Sequence, residues 1–93
     1  VTVVDVRSAN EWAGGHLPGA IHIPLGYLAE RSGSIPTTRP IVLQCQAGSR
    51  SAIAASLLER LGFTGVINLT GGFSAWEAEG LPVEGHHGQQ ARA

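Results

Sequence analysis

The chain has 93 residues and a formal net charge of −1. This length suits one small domain with one hydrophobic core. The small net charge creates no field that would attract nucleic acid, and no apolar run approaches the roughly 20 residues that span a bilayer. The first residues lack the charged and apolar regions of a signal peptide, so we expect a cytoplasmic protein without nucleic-acid or membrane partners.

A single cysteine, Cys45, is the second constraint on function. One thiol excludes an internal disulfide and any metal site built from several cysteines. Cys45 is therefore either a buried, inert thiol or a reactive one, and its surroundings must decide between the two. The chain has no lysine, so all six fixed positive side-chain charges are arginines. An arginine close to the cysteine is for this reason of special interest.

The first half of the chain predicts two strand and helix units joined by turns. Residues 1–6 are rich in β-branched side chains and predict a strand, and Ser8 is placed as the N-cap of a short helix through Trp12. Three glycines and a proline at 14–19 predict a turn. The segments that follow are a short strand at 20–23, a helix at 25–31 and a loop at 32–40.

The second half contains the clearest strand and the clearest helix. Residues 41–43 form an apolar triplet that is typical of a strand buried on both faces of a parallel sheet. From Ser51 onward apolar residues recur with a helical period, and Gly62 stands where a glycine ends a helix; these apolar residues are Ile53, Ala54, Leu57, Leu58 and Leu61. The remaining elements are a strand at 66–69, a turn at Gly71 and Gly72, a short helix about Trp76 and an exit at 80–83.

This alternation of strands and helices predicts the fold class. We expect an α/β domain with a central, mainly parallel sheet of about four to five strands and helices on both faces. Residues 1–83 are assigned to this domain, and the polar, aperiodic residues 84–93 predict a tail or linker. Because the chain begins inside a strand with no preceding turn, we expect a domain taken from a longer protein.

Cys45 lies directly after the buried strand and before the main helix, which nominates it as the reactive residue. Ligands of open α/β sheets bind beyond the carboxyl ends of the strands. Backbone N–H groups of a loop that leads into a helix can converge on an anion, and Gly48 allows such a loop to curl. The candidate substrate-binding residues are those of this loop and of the following helix start: Gln46, Ala47, Gly48, Ser49, Arg50 and Ser51.

These surroundings favour a thiolate, because N–H groups, the helix dipole and Arg50 all stabilise negative charge. A thiolate can attack the outer sulfur of a persulfide or thiosulfonate, and the product, a cysteine persulfide, is again an anion that needs the same donors. Arg50 is expected to bind the anionic end of the sulfur donor. Ser49 and Ser51 either donate further hydrogen bonds or cap the helix, and capping is the preferred interpretation.

Three separated motifs resemble those of the rhodanese superfamily, over nearly the whole chain up to Val83. The first comprises Asp5-Val6-Arg7, Glu11, the segment 15–20, which reads Gly-His-Leu-Pro-Gly-Ala, and Ile23-Pro24. The second is the cysteine loop, and the third comprises Gly71-Gly72, Trp76 and the segment 80–83. The resemblance implies a rhodanese-like fold and a cysteine persulfide intermediate on Cys45.

The resemblance also implies the partners of the reaction. They are a small-molecule donor of sulfane sulfur, such as thiosulfate or a low-molecular-weight persulfide, and a thiol or cyanide acceptor, with no metal and no organic cofactor. Asp5 and Arg7 lie at a strand end near the site, where they either tune it or form a structural charged hydrogen bond. His16 is expected to serve a turn, and Trp12 and Trp76 are expected to serve packing.

Loop length separates sulfur transfer from the phosphatases of the same superfamily. Four residues stand between Cys45 and Arg50, and the phosphatases have a longer loop. A smaller ring of N–H groups suits one sulfur atom better than a tetrahedral phosphate, so we expect negligible phosphatase activity. The loop also differs from the Gly-Ser-Gly-Val-Thr type of mercaptopyruvate users.

Two alternatives to a free-standing enzyme remain open from the sequence. Cys45 can accept sulfur as a carrier or sensor module and pass it only to a fused or partner domain, which fits a domain taken from a longer chain. A non-catalytic rhodanese fold used for binding is expected to lose the cysteine, which this chain keeps.

His86 and His87 are too few for a metal site without further ligands.

Overall fold

A computed structural model describes residues 1–85 as a four-stranded, entirely parallel sheet with helices packed against it. The strands are β1 (Thr2–Asp5), β2 (Ile21–His22), β3 (Ile41–Gln44) and β4 (Val66–Asn68), and their order in the sheet is β2-β1-β3-β4. The helices are α1 (Ala9–Ala13), α2 (Leu28–Arg31), α3 (Ser49–Arg60) and α4 (Gly72–Ala78), with short 3₁₀ turns at Leu25–Tyr27 and Ser32–Ser34. The predicted α/β class and parallel sheet are confirmed.

The core lies where the two central strands meet α2 and α3. Side chains of the strands and of the two helices are almost fully buried there: Val4, Ile41, Leu43, Leu28, Ala54 and Leu58. The two central strands, β1 and β3, have partners on both sides, which explains their apolar composition. Their carboxyl ends therefore form a rigid edge, and the cysteine loop starts from this edge.

Helix α3 differs from its prediction in where it starts and which residues it buries. It begins at Ser49 with Gly48 as its N-cap, two residues before the predicted start, because a glycine cap leaves no side-chain signal in the sequence. The residues of α3 that are buried are Ser51, Ala54 and Leu58. Ile53, next to Ala54 in the sequence, lies outside this stripe and is 60% exposed. The apolar pattern thus identified the helix correctly and overstated the width of its buried face.

Both predicted helix-end signals are confirmed. The Ser8 hydroxyl accepts a hydrogen bond from the Glu11 N–H at 3.3 Å, and the Glu11 carboxylate accepts one from the Ser8 N–H at 2.9 Å, which completes a capping box. At the end of α3, Gly62 has a φ of 96°. There the N–H groups of Gly62 and Phe63 donate to the carbonyls of Glu59 and Leu58, a Schellman closure.

The last described residues close on the first turn. Glu84 pairs with His16 in an antiparallel bridge, with both N–H to carbonyl distances at 2.7 Å. The start of the predicted tail at residue 84 therefore packs against the domain, whereas residues 86–93, including His86 and His87, lie outside the described part. The boundary of the domain and its excision from a longer chain stay predictions.

In residues 1–85, no helix has the length and apolar character needed to cross a membrane.

Replacing Leu58 by alanine tests the buried stripe of α3. The Leu58 side chain is fully buried, so Leu58→Ala is expected to lower the free energy of unfolding by about 2–5 kcal/mol. Ile53→Ala is the matched control on the exposed face of the same helix and is expected to change it by less than about 0.5 kcal/mol. Urea denaturation followed by circular dichroism measures both, and equal losses would show that the buried face is misassigned.

Candidate active site

Cys45 occupies the carboxyl edge of the sheet, immediately after β3 and at the start of the loop that leads into α3. The residue is buried, with 1% of its surface exposed. The neighbouring strand β1 ends at the same level, because Asp5 is in register with Gln44. The predicted location of the cysteine at a strand end is confirmed.

Hydrogen-bonding groups of Gly48 and Ser51 lie within 3.4 Å of the sulfur of Cys45. The Gly48 N–H donates to Sγ at 3.0 Å and the Ser51 N–H donates at 3.3 Å, while the Ser51 hydroxyl lies 3.4 Å from Sγ. Gly48 has a φ of 108°, a left-handed conformation that a glycine adopts without strain and that turns the chain back over the sulfur. The loop therefore encloses one atom with backbone donors, as the sequence predicts.

Two opposing effects determine the pKa of Cys45. Burial raises the pKa, because it removes water from the charged form. Hydrogen bonds from the Ser51 hydroxyl and from the N–H groups of Ser51, Gly48 and Ala47 lower it, and together they outweigh burial. The pKa of Cys45 consequently lies below its ordinary value, which favours the nucleophilic thiolate.

Asn68 on β4 is a residue of the site that the sequence reasoning missed. Its side-chain oxygen accepts a hydrogen bond from the Ser51 hydroxyl, and its amide nitrogen lies 3.4 Å from the carbonyl oxygen of Gly48. The Ser51 hydroxyl also reaches the same carbonyl at 3.1 Å. Because a hydroxyl has one proton, the sulfur of Cys45, the Gly48 carbonyl and the Asn68 amide compete for it. No local pattern in the sequence links Asn68 to a helix 17 residues away.

Arg50 is engaged by Glu11 rather than by the sulfur. Its two terminal nitrogens donate to the two carboxylate oxygens of Glu11 at 2.8 and 2.9 Å, and both side chains remain about one third exposed, at 37% and 31%. This bidentate pair lowers the pKa of Glu11 to about 2, chiefly through the hydrogen bond from Arg50. The pair also raises the pKa of Arg50. The predicted role of Arg50 in binding a donor stays a prediction, and any donor has to share it with Glu11.

Asp5 and Arg7 form a fully buried pair that holds the loop without touching the sulfur. The Arg7 guanidinium bonds to the Asp5 carboxylate at 2.8–3.1 Å, to the Gly15 carbonyl at 2.7 Å and to the Gln46 side-chain oxygen at 3.0 Å. It also stacks over the ring of Phe73, 4.3 Å from the ring centre. The predicted roles of this pair were tuning of the site and structural hydrogen bonding. These contacts favour the structural role, since Arg7 positions the loop through Gln46.

The start of helix α4 holds the cysteine loop through backbone hydrogen bonds. The N–H of Phe73 donates to the carbonyl of Cys45 at 2.8 Å, and the N–H of Ser74 donates to the carbonyl of Gln46 at 2.9 Å. Gly72 packs so closely that a Cβ atom there would overlap the Cys45 carbonyl oxygen. The sequence predicted a turn at this point but not its contact with the loop, although two consecutive glycines were a signal of close approach.

The other predicted residues lie at the edge of the site or away from it. Ala47 and Ser49 are exposed. The N-cap of α3 is Gly48, so neither Ser49 nor Ser51 caps this helix, and the preferred interpretation of these two serines is wrong. His16 stacks on Trp12 with ring centres 3.4 Å apart, in the turn where the sequence placed it. Among residues 1–85, no group of three or more His, Cys, Asp or Glu side chains is arranged to hold a metal ion.

Comparison with known proteins is consistent with this geometry. The family model for the rhodanese-like domain matches residues 1–79. The chain belongs to the rhodanese-like domain family. A solved structure of the rhodanese-like domain of the Anabaena protein Alr3790 superposes with a TM-score of 0.87 and 34% sequence identity, covering 99% of this chain and 70% of that one.

Two curated relatives are matched over different shares of their own length. The chain is 39% identical over 83 residues to a sulfurtransferase of Allochromatium vinosum, covering 89% of this chain and 78% of that protein. It is 46% identical over 74 residues to the uncharacterized protein YqhL of Bacillus subtilis, covering 80% of this chain. It spans 59% of the length of YqhL.

Removing the Ser51 hydroxyl tests the origin of the low pKa of Cys45. Ser51→Ala deletes the strongest of the hydrogen bonds that lower this pKa, so the pKa is expected to rise and less thiolate to form at neutral pH. The measurement is the rate of alkylation by iodoacetamide against pH, whose midpoint should move to higher pH. Ser49→Ala, on the same turn of α3 but exposed, should leave the midpoint unchanged, and an equal shift in both variants would contradict the assignment.

Proposed function

We propose that this domain is a sulfurtransferase in which Cys45 carries sulfane sulfur as a persulfide. The observation that supports it best is the sulfur of Cys45 held by the N–H groups of Gly48 and Ser51, in a loop that places four residues between Cys45 and Arg50. Membership of the rhodanese-like family and the relative named sulfurtransferase support the same reaction class.

The proposed first half-reaction is a thiolate attack. The Cys45 thiolate attacks the outer sulfur of thiosulfate or of a low-molecular-weight persulfide, and the new S–S bond forms as the old one breaks. Sulfite, or the thiolate of the persulfide donor, departs with the bonding electron pair. Cys45 is left as a persulfide anion, so the total charge is conserved and no cofactor is required.

The second half-reaction returns the enzyme to its starting state. A thiol or cyanide acceptor attacks the outer sulfur of the persulfide, the Cys45 thiolate departs, and the acceptor carries the sulfur away. The persulfide anion and the thiolate are both stabilised by donors on the same curled loop, so that one arrangement serves both steps. Arg7, Gln46 and the start of α4 hold this loop in place between them.

The size of the loop supports sulfur over phosphate as the transferred group. The N–H groups of Gly48 and Ser51 already lie within 3.3 Å of the cysteine sulfur, an arrangement suited to one anionic atom. We propose that aryl phosphates are not turned over at a significant rate. A cytoplasmic location and the lack of a nucleic-acid or membrane partner likewise stay predictions.

A carrier module is the second candidate, and the putative sulfur carrier protein YrkF of Bacillus subtilis, to which the chain is 36% identical over 76 residues, supports it. In this alternative Cys45 accepts sulfur but transfers it only to a fused or partner domain. Efficient loading of Cys45 with slow turnover toward free cyanide or thiols would indicate a carrier, whereas multiple turnovers with either acceptor would indicate a free-standing enzyme.

Mass spectrometry tests the shared step of both candidates. After incubation with thiosulfate or a persulfide, the intact mass of the domain should increase by that of one sulfur atom, and cyanide should remove it again. Cys45 is the only cysteine, so Cys45→Ser should show no increase. Loading that persists in Cys45→Ser, or turnover of an aryl phosphate that requires Cys45, would contradict the proposed function.

A further inference from the structure

We propose that Glu11 determines donor specificity by occupying Arg50 and thereby disfavouring dianionic donors such as thiosulfate relative to persulfides with an uncharged organic group. This inference rests on the proposed function, since it concerns the donor that loads Cys45. Glu11 acts through Arg50 and not on the sulfur, so it is a specificity-determining residue rather than a catalytic one.

The geometry of the pair shows why a donor must compete for Arg50. Both terminal nitrogens of Arg50 are directed at Glu11, and both carboxylate oxygens are used, at 2.8 and 2.9 Å. This edge of the guanidinium is one of the two that can bind an anionic oxygen pair such as that of a sulfonate. A sulfonate can take it only by displacing Glu11, or else it must use the remaining N–H groups.

Glu11 is not free to move away at no cost. The same carboxylate accepts the Ser8 N–H at 2.9 Å and so belongs to the capping box of α1. With a pKa of about 2 it also stays ionised at any pH at which the domain is expected to work. The pair with Arg50 is therefore the resting arrangement of these two side chains.

The net charge around the cysteine loop also disfavours a dianionic donor. Two arginines contact the loop or belong to it in the described part of the chain, and each has its own carboxylate: Arg7 has Asp5, and Arg50 has Glu11. The two pairs sum to zero, while the Cys45 thiolate adds a negative charge. A dianion approaching that thiolate meets repulsion without a net positive charge to offset it, whereas a persulfide with a neutral organic group meets much less.

The two pairs differ in how readily a donor can exchange with them. The Asp5 and Arg7 side chains are 0% and 2% exposed, whereas those of Glu11 and Arg50 are 31% and 37% exposed. Exposed ion pairs are weak and screened by salt. Only the Glu11 pair can therefore open to a donor from solution, at a cost that is small but sufficient to alter the preference between donors.

Glu11→Gln is the variant that tests this inference, because glutamine also suits the third position of a capping box and keeps the helix start. We expect kcat/KM with thiosulfate to increase about threefold to fivefold, mainly through a lower KM, since an exposed pair contributes up to about 1 kcal/mol. With the persulfide of 2-mercaptoethanol the change should be below about twofold. The gain with thiosulfate should shrink as the salt concentration rises, because charges at an exposed site are screened.

Two further variants separate donor competition from other effects. Glu59→Gln removes the same charge at an exposed position on α3 outside the cysteine loop and should not change the ratio of the two donors. In the background of Arg50→Gln, the substitution Glu11→Gln should no longer raise the thiosulfate rate, because the residue through which it acts is gone.

The outcomes distinguish the specificity role from the function itself. If Glu11→Gln loads normally from the persulfide and its thiosulfate kcat/KM is unchanged or lower, the specificity role is wrong. Equal losses with both donors would assign Glu11 a purely structural role and also overturn it. If the unaltered domain forms no persulfide with either donor, the proposed function fails, and this inference fails with it.

Discussion

A sulfur anion inside a protein needs hydrogen-bond donors that cannot turn away from it, and here most of these donors are backbone N–H groups. Such donors are only as well placed as the loop that carries them. The surrounding elements accordingly fix the loop: β3 supplies its start, α3 its end, α4 binds its carbonyl oxygens and Arg7 binds its glutamine side chain. Ser51 adds the one side-chain donor, and its hydroxyl proton is shared with Asn68.

The two arginine–carboxylate pairs have different roles because one is buried and the other is partly exposed. The buried pair of Asp5 and Arg7 is expensive to break, because removing one partner would leave an uncompensated buried charge, and it connects β1 to the loop. The partly exposed pair of Glu11 and Arg50 connects α1 to the start of α3 and is open to solvent. The buried pair thus fixes the loop that holds Cys45, whereas the exposed pair contains the arginine that we propose to bind the sulfur donor.

The parts of this site that follow from local patterns were predictable from the sequence. The apolar triplet before Cys45 indicated a buried strand, and Gly48 indicated a curled loop; both are present. The pair of Glu11 with Arg50 joins residues 39 positions apart and leaves no local pattern, so no periodicity could reveal it. Helix α3 starts two residues before the predicted position because its N-cap is a glycine, and Ile53 belongs to the predicted apolar face but is exposed because only a narrow stripe of the helix is buried.

The contact between Gly72 and the Cys45 carbonyl also bears on how such domains can diverge in sequence. That carbonyl oxygen accepts the N–H of Phe73, so it cannot shift without releasing α4. Any side chain at position 72 would have to push it away. A homologous chain with a larger residue at the equivalent position must therefore hold its cysteine loop in another shape, whatever the loop's own residues are. The residue at position 72, outside the loop, therefore indicates whether the cysteine loop of a distant relative has the same shape.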